Sequence, residues 1–383
     1  MVNRSLKLNK SNSLFLFGAR GTGKTTLINA QLSGGRVFKI DLLKEEDEEL
    51  YRREPAQLSK LVDSNRYDWI VIDEIQKLPK LLDRIHYEIE RSSVRFALTG
   101  SSARKLKRGA ANLLAGRAFT HHLFPFTAQE MGKRFSLESA LRFGSLPKLE
   151  SIRDEESKCD YLNNYVSTYL AEEIVAEQIV RKIPPFRDFL KIAAQANGTL
   201  INYSKIGGDI GVDDKTVHSY FDILEDTLIG FHLRPFHRSI RKRQRAAPKF
   251  YLFDTGVRRA LEKSLRVPLE PGTYAYGKAF EHRVILEAFW ANSYGKLDYE
   301  FSYLRTKDDA EIDLIIERPG MPTALVEIKS SARIDSRELR PLLALAKDFK
   351  NSEAFCLSLD PRERKEDGIT CMPWQRGLRE LGL

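Results

Sequence analysis

The sequence predicts an α/β protein built from several domains, and three observations support this prediction. The chain has 383 residues, enough for about two or three domains of ordinary size. Its first part alternates short apolar runs with amphipathic stretches, which is typical of a parallel sheet wrapped by helices. Its last part follows the order helix, three strands, helix, strand. We therefore expect four blocks, at residues 1–126, 127–185, 186–250 and 251–383.

Composition and charge exclude several classes of protein. Apolar residues make up 42% of the chain and aromatic residues 10%, so it can form hydrophobic cores and is not a disordered polymer. No apolar signal core and no apolar run of about 18 residues occurs, so we expect a cytoplasmic protein without membrane spans. Three widely spaced cysteines, Cys159, Cys356 and Cys371, predict reduced thiols. The modest net charge of +9 favours partners that carry phosphate.

The first block contains four apolar runs that we interpret as strands buried on both faces. They are Ser13–Phe17, Arg36–Ile40, Trp69–Ile72 and Val94–Thr99. The segment Gly18–Thr25 directly follows the first run and matches the pattern G-x-x-x-x-G-K-[ST]. Its glycines let backbone amides surround a phosphate, and the helix that follows adds the positive end of its dipole. This placement between strand and helix predicts a nucleotide-binding loop.

We expect this loop to bind ATP together with Mg²⁺. Lys24 would reach the β and γ phosphates, and the Thr25 hydroxyl would bind Mg²⁺. Asp73 and Glu74 follow the third apolar run, where Asp73 suits Mg²⁺ and Glu74 is placed to orient and deprotonate the attacking water. The predicted nucleotide contacts are Gly18, Arg20, Gly21, Thr22, Gly23, Lys24, Thr25, Thr26, Asp73 and Ser101.

Three further positions in this block are weaker candidates. Ser101 and Thr99 end the fourth apolar run, where a polar side chain of a P-loop ATPase touches the γ-phosphate or the water. A serine-rich turn explains them equally well. Arg117 is a candidate arginine finger offered to a neighbouring subunit, which would require an oligomer, or else a surface arginine.

The order and spacing of these motifs resemble a known family. GARGTGKTT, WIVIDEIQKLP, LTGSSARKL, LLAGRA and FGSLPKLES follow one another as in the bacterial and archaeal AAA-type ATPases, of the AAA_14 group, that carry a DUF4143 domain. The resemblance covers nearly the whole chain. It implies a P-loop ATPase and leaves the biological task undefined.

The second and third blocks predict helices and a helix-turn-helix. Residues 127–185 are helical in pattern, which suggests a lid or linker, and Thr127–Glu130 has the form of a capping box. A short helix at 204–210, a turn, and a helix from Asp214 predict a helix-turn-helix, and the strand-like segment after it would make a winged helix. The second helix carries four acids and few cations, so the module either reads DNA or packs against protein.

A cationic segment, Arg234–Lys249, follows this module and has seven cations and no acid. We expect it to contact a nucleic-acid backbone with little sequence readout, with DNA favoured over RNA. A solvated linker would have a similar composition. The residues expected to contact phosphate are Arg238, Arg241, Lys242, Arg243 and Arg245.

The last block places two acids and a lysine on neighbouring predicted strands. Asp313 lies on one strand, and Glu327 and Lys329 share a face of the next. The two carboxylates would hold one divalent cation, with Lys329 beside it to position or activate water. The pattern resembles the core of the PD-(D/E)XK nucleases. Such domains also keep the fold for DNA binding alone, so cleavage stays open.

The helix before these strands supplies a fourth acid. Glu281 falls in the middle of its apolar half, whereas Arg283 and Glu287 point away. A carboxylate there needs a partner, which we expect to be a metal or Lys329. In the resembling nucleases an acid on this helix belongs to the site.

The sequence thus predicts a Mg²⁺-dependent ATP hydrolase that binds nucleic acid and works as a homo-oligomer, for instance a hexameric ring. Its C-terminal domain would grip or cleave the polymer. The alternative is an ATP-switched regulatory protein whose nuclease-like fold is inactive and contacts a protein partner.

Overall fold

The computed structural model describes residues 2–102, 114, 116–170, 183–237 and 247–383. Its first block is a five-stranded sheet in the order β2-β3-β4-β1-β5, with every neighbouring pair parallel. The predicted parallel core is confirmed. The strands are β1 (Ser13–Phe17), β2 (Val37–Asp41), β3 (Trp69–Asp73), β4 (Arg95–Gly100) and β5 (Ala118–His122). The helices are α1 (Lys24–Gln31), α2 (Glu45–Arg53), α3 (Gln57–Asp63) and α4 (Leu81–Arg91).

Two features of this sheet differ from the prediction. The second apolar run was expected to be buried on both faces, but β2 is an edge strand and Val37 and Phe38 are only half-buried. The sheet also has a fifth strand, β5, that the apolar pattern did not indicate. Its residues Phe119 and Thr120 are exposed, so it has no continuous apolar run.

Short helices and a π-helical turn follow the sheet. The predicted capping box is confirmed: the Thr127 hydroxyl accepts a hydrogen bond from the Glu130 amide at 3.1 Å, and the Glu130 carboxylate accepts one from the Thr127 amide at 3.0 Å. The helices are α5 (Ala128–Met131), α6 (Leu137–Phe143) and α7 (Glu155–Asn164), and the π-helical turn is Tyr165–Leu170.

The third block packs three helices against a β-hairpin. The two helices of the predicted helix-turn-helix are confirmed, and Val217, Tyr220, Phe221 and Leu224 are buried as expected. A single antiparallel bridge joins Leu200 to the second strand of the hairpin. The elements are α8 (Ile183–Gln195), α9 (Tyr203–Ile210), α10 (Asp214–Asp226), β6 (Gly230–Pro235) and β7 (Lys249–Leu252).

The hairpin also continues the C-terminal sheet, which has eight strands in the order β12-β13-β11-β10-β9-β8-β6-β7. The expected boundary after residue 250 therefore lies within β7. The remaining strands are β8 (Glu300–Arg305), β9 (Glu311–Glu317), β10 (Thr323–Lys329), β11 (Ser352–Ser358), β12 (Arg364–Glu366) and β13 (Ile369–Pro373). The remaining helices are α11 (Thr255–Leu261), α12 (Tyr274–Gly295), α13 (Arg340–Ala346) and α14 (Trp374–Glu380).

Helix α12 is buried on nearly all sides, which corrects the expectation for two of its charged residues. Arg283 and Glu287 point away from Glu281 but not into solvent. Arg283 donates to the Ser145 hydroxyl at 2.6 Å, and Glu287 accepts from the Ala128 amide at 2.8 Å, so this face packs against the second block. Among the helices of the described residues, none has the length and apolar character to cross a membrane.

Candidate functional site

The loop after β1 has the backbone conformation of a phosphate cradle. Gly21 and Gly23 have φ angles of 81° and 94°, in the left-handed region that favours glycine. At Gly18 an added Cβ would lie 2.4 Å from the Leu123 carbonyl oxygen, so a side chain does not fit there. The Lys24 ammonium is buried and donates to the Gly18 carbonyl at 2.8 Å. The loop thus holds its lysine inward, at the amino end of α1.

Asp73 lies beside this loop and accepts hydrogen bonds from hydroxyls of two neighbouring elements. The Thr25 hydroxyl donates to its Oδ2 at 2.7 Å, and the Thr99 hydroxyl donates to its Oδ1. These groups meet because β1, β3 and β4 are parallel and their carboxyl ends lie at one edge of the sheet. Thr25 and Asp73 present adjacent oxygen atoms of the type that Mg²⁺ prefers, so these residues fit the ion.

Glu74 is held by two neighbours at the same edge, Thr99 and Gln76. Its φ of 59° lies in the left-handed region, and its amide donates to the Thr99 hydroxyl at 3.3 Å. The Gln76 side-chain amide donates to the Glu74 carboxylate and, at 3.1 Å, to the Ser101 hydroxyl. Gln76 was not among the predicted site residues. Its position two residues after Glu74 was the available signal.

A cavity of about 370 Å³ adjoins the amino end of α1. It is large enough for the base of a nucleotide, and Thr26 lies in its wall. The second block also touches the loop, because the Tyr165 hydroxyl donates to the Arg20 carbonyl at 2.8 Å. The cavity is lined by Val2, Asn3, Arg4, Lys7, Thr22, Gly23, Thr26, Leu27, Ala30, Gln31, Phe126 and Pro147.

Arg117 does not join the nucleotide loop of its own chain. It precedes β5, whose first residue is level with Ser13 at the amino end of β1, and its guanidinium forms an ion pair with Glu90. The loop follows the other end of β1, about 16 Å away at ~3.3 Å per strand residue.

The structure brings together all four residues of the nuclease-like pattern. Lys329 pairs with the Glu327 carboxylate at 2.6 Å, and the Asp313 Oδ2 accepts from the Ile328 amide at 2.8 Å. Three residues not selected from the sequence join them. We name the whole set the acid–lysine cluster: Glu281, Glu311, Asp313, Glu327, Lys249, Lys278 and Lys329.

The partners of Glu281 differ from the expected metal or Lys329. Lys278 donates to its Oε2 at 2.7 Å, Tyr251 donates to its Oε1 at 2.8 Å, and the Lys249 ammonium lies 3.7 Å from Oε1. Burial alone would raise the pKa of Glu281, but the two lysines lower it below its ordinary value. The carboxylate is therefore compensated from within the chain.

The two carboxylates on the strands are less well compensated. Burial, then Glu327 and Glu281, raise the pKa of Asp313 well above its ordinary value. Burial also raises the pKa of Glu327 despite its pairing with Lys329, and the Glu327 Oε2 is a buried oxygen without a hydrogen-bond partner among the described residues. Within the same residues, no three acidic, histidine or cysteine side chains are arranged to hold a metal. As arranged, the cluster does not fit a divalent cation.

The five cations expected to contact phosphate, residues 238–245, lie outside the described residues. Lys249, the last residue of the cationic segment, is only 1% exposed and belongs to the acid–lysine cluster, which corrects its assignment to a phosphate-binding surface. On α10 the exposed side chains include Asp214, Lys215 and Asp222, which is not a cationic face.

Three family descriptions match successive parts of the chain. "AAA domain" matches residues 10–132, "Domain of unknown function (DUF8612)" matches 134–267, and "Domain of unknown function (DUF4143)" matches 276–376. The first match contains the nucleotide loop and the Asp73 carboxylate. The third contains most of the acid–lysine cluster.

Individual relatives extend over most of the chain. Uncharacterized protein Rv2008c of Mycobacterium tuberculosis is 30% identical over 348 residues, covering 88% of this chain and 74% of that protein. Uncharacterized protein MJ1637 of Methanocaldococcus jannaschii is 25% identical, covering 98% and 86%. A solved structure, domain III of the Thermotoga maritima replication initiation protein DnaA, aligns at 14% identity over 57% of this chain and 85% of that chain, with a TM-score of 0.23.

Proposed function

The chain belongs to the same family as Rv2008c and carries an AAA domain, and from this premise we propose that it is a Mg²⁺-dependent ATP hydrolase. One observation carries the proposal. The hydroxyls of Thr25 and Thr99 converge on Asp73 beside a phosphate cradle, and Glu74 is the next residue along the chain. This is the arrangement that phosphoryl transfer to water needs, because its catalysis consists of positioning and charge stabilisation.

Each residue of the site has a role in this proposal. Lys24 exchanges the Gly18 carbonyl for the β and γ phosphates, and Thr25 and Asp73 hold Mg²⁺. Bound Mg²⁺ would neutralise charge on the β and γ phosphates. Glu74 orients the attacking water and accepts its proton, and the hydrogen bond from Gln76 holds the carboxylate until nucleotide binds.

Steady-state turnover and nucleotide binding of substituted proteins test this proposal. Glu74→Gln should lower turnover by about 100-fold or more while ATP still binds, whereas Lys24→Ala should lose both. Glu49→Gln, an exposed acid on α2, is the matched control and should behave as wild type. Unchanged turnover in Glu74→Gln would refute the catalytic assignment.

Nucleic-acid binding is the second part of the proposal. The arrangement of α8, α9 and α10 with the β6–β7 hairpin and the Leu200 bridge supports a winged helix. The cationic segment connects the two strands of that hairpin, so its charges would contact the phosphate backbone rather than bases. The acidic exposed face of α10 favours this role over base reading by the helix. DNA is the favoured polymer, and a homo-oligomer such as a hexameric ring would surround it.

Salt dependence of binding tests this second part. If the five central cations contact phosphate, log affinity should fall against log salt concentration with a slope of about −4 to −5. Replacing all five with glutamine should remove most of that slope. Replacing the exposed Lys133 and Arg134 should not. No affinity for DNA or RNA at ~50 mM salt would favour the regulatory ATPase that contacts a protein partner.

The C-terminal domain would grip nucleic acid in this proposal. The order α12, β8, β9, β10, α13, β11 supports a PD-(D/E)XK nuclease-like fold. Because the acid–lysine cluster does not fit a divalent cation as arranged, we place gripping before cleavage. Incubating DNA and RNA with the protein and Mg²⁺ or Mn²⁺ tests this. Cleavage that Asp313→Ala and Lys329→Ala both abolish would restore the nuclease assignment.

A further inference from the structure

Lys249 is a buried cation in the acid–lysine cluster. It begins β7, and its side chain is 2% exposed. Its ammonium forms an ion pair with the Glu311 carboxylate and lies 3.7 Å from the Glu281 Oε1. On another side it lies 5.2 Å from the centre of the Tyr303 ring. The ammonium is therefore enclosed by groups from β8, β9 and α12.

Without the Lys249 charge, the carboxylates of the acid–lysine cluster would repel one another. Glu281 comes from α12, Glu311 and Asp313 from β9, and Glu327 from β10. Without a cation between them, several buried negative charges would be strongly unfavourable. The Glu327 Oε2 is a buried oxygen without a hydrogen-bond partner among the described residues, and the residue as a whole is 9% exposed. The cluster thus has an unused carboxylate oxygen in addition to a bound ammonium.

We propose that Lys249 is an internal substitute for a divalent cation, and that the cluster binds Mg²⁺ or Mn²⁺ only when the Lys249 charge is absent from it. The ammonium is a compact point charge whose three donors satisfy carboxylate oxygens as a metal ion would. A second cation within about 4 Å of it is repelled. Lys278 differs, because its side chain is 24% exposed and Glu281 is its ion-pair partner among the described residues.

The position of Lys249 in the chain links this site to the cationic segment. Lys249 is the segment's last residue and lies in the hairpin that β6 joins to β8. Opening the metal site therefore requires a movement of the β7 end of that hairpin. This inference does not depend on ATP hydrolysis.

Mn²⁺ binding to the full chain without nucleotide, measured by calorimetry and by electron paramagnetic resonance, tests the inference. Lys249→Met keeps the apolar stem and removes the charge. It should bind one additional Mn²⁺ per chain, about tenfold or more tighter than any site in wild type. The matched control Lys278→Met should bind no more Mn²⁺ per chain than wild type. Lys249→Met combined with Asp313→Asn should lose the additional ion.

Melting temperatures show whether the substituted proteins are still folded. If Lys249→Met melts earlier than wild type, ~1 mM Mn²⁺ should restore its melting temperature, and it should not do so when Asp313→Asn is also present. Three results would overturn the inference: an Mn²⁺ ion bound by wild type and lost in Asp313→Asn, a folded Lys249→Met protein that binds no additional ion, or a destabilised one that Mn²⁺ does not rescue.

Discussion

Thr99 is the side chain that connects Asp73 to Glu74. Its hydroxyl donates to the Asp73 carboxylate and accepts from the Glu74 amide. Thr99→Val keeps the shape and removes both hydrogen bonds, which leaves a buried polar group unpaired. We expect turnover to fall about tenfold or more, with ATP affinity within about threefold of wild type.

Two variants separate this role from a general structural one. Thr99→Ser should restore most of the turnover because it restores the hydroxyl. Ser102→Ala removes a hydroxyl that donates to the Asp226 carbonyl at 3.3 Å, so its turnover should match wild type. Equal turnover of wild type and Thr99→Val would rule out the proposed role.

His121 makes the first block sensitive to acid. Its Nε2 accepts a hydrogen bond from the Asn9 amide at 3.3 Å, which requires the neutral ring. Burial, with smaller contributions from Lys296 and His122, lowers its pKa from 6.5 to about 4. The unfolded chain therefore binds more protons than the folded chain between these values, so this stability is present above pH 6.5 and is lost as pH falls toward 4.

Urea unfolding at two pH values measures this effect. Between about pH 7.5 and pH 5, His121→Gln should lose about 1–2 kcal/mol less stability than wild type. His86→Gln, at an exposed histidine on α4, should lose as much as wild type. An identical loss in all three proteins would contradict the prediction.

The sequence could predict which side chains lie close together only where the predicted strands determine their positions. Thr25 and Asp73 follow strands whose ends must share an edge in a parallel sheet, so their proximity was predictable. Lys249 and Glu311 are 62 positions apart and meet only because the hairpin joins the C-terminal sheet. No local pattern contains that information, so Lys249 was grouped with its cationic neighbours in sequence.

At the scale of elements, the apolar pattern located most strands of the first sheet, but it did not show which strand lies at the sheet edge. The runs at β1 and β3 predicted buried strands correctly, whereas β2 has a similar composition and lies at the sheet edge. For α12, periodicity identified the apolar half around Glu281. Periodicity could not show that Arg283 and Glu287 form an ion pair with each other and hydrogen bonds to the second block. These interactions allow the opposite face of α12 to be buried too.

Helices α6 and α11 touch through their backbones, which makes one glycine necessary. A Cβ added to Gly256, in the first turn of α11, would lie 1.9 Å from the Phe143 carbonyl oxygen. Gly256→Ala should therefore destabilise the protein by about 2–3 kcal/mol, lowering its melting temperature. The control is Gly208→Ala in α9, where a Cβ meets nothing within 4 Å. This change should stabilise by about 0.5–1 kcal/mol. Equal melting temperatures would disprove the backbone contact.

For the whole molecule, the predicted blocks are more closely joined than their boundaries suggest. Strands β6 and β7 belong both to the helical third block and to the eight-stranded sheet. The carboxyl end of α10 also meets the AAA domain, where the Ser102 hydroxyl donates to the Asp226 carbonyl. The carboxyl edge of the first sheet is therefore connected through α10 to the hairpin that carries the cationic segment. Sequence patterns describe each block separately and do not contain these contacts.

Substitution of Arg117 provides a test of whether the protein works as an oligomer. Strand β1, about 16 Å long at ~3.3 Å per residue, separates the Arg117 backbone from its own nucleotide loop, so an arginine-finger role requires the nucleotide of a neighbouring subunit. Arg117→Ala and Lys24→Ala should each be nearly inactive alone. Mixed in equal amounts they should regain part of the wild-type turnover, because some interfaces then pair an intact Lys24 with an intact Arg117. The exposed Arg66→Ala is the control and should be fully active alone. Wild-type turnover of Arg117→Ala, or oligomeric mixtures with no more activity than their components, would show that Arg117 only pairs with Glu90.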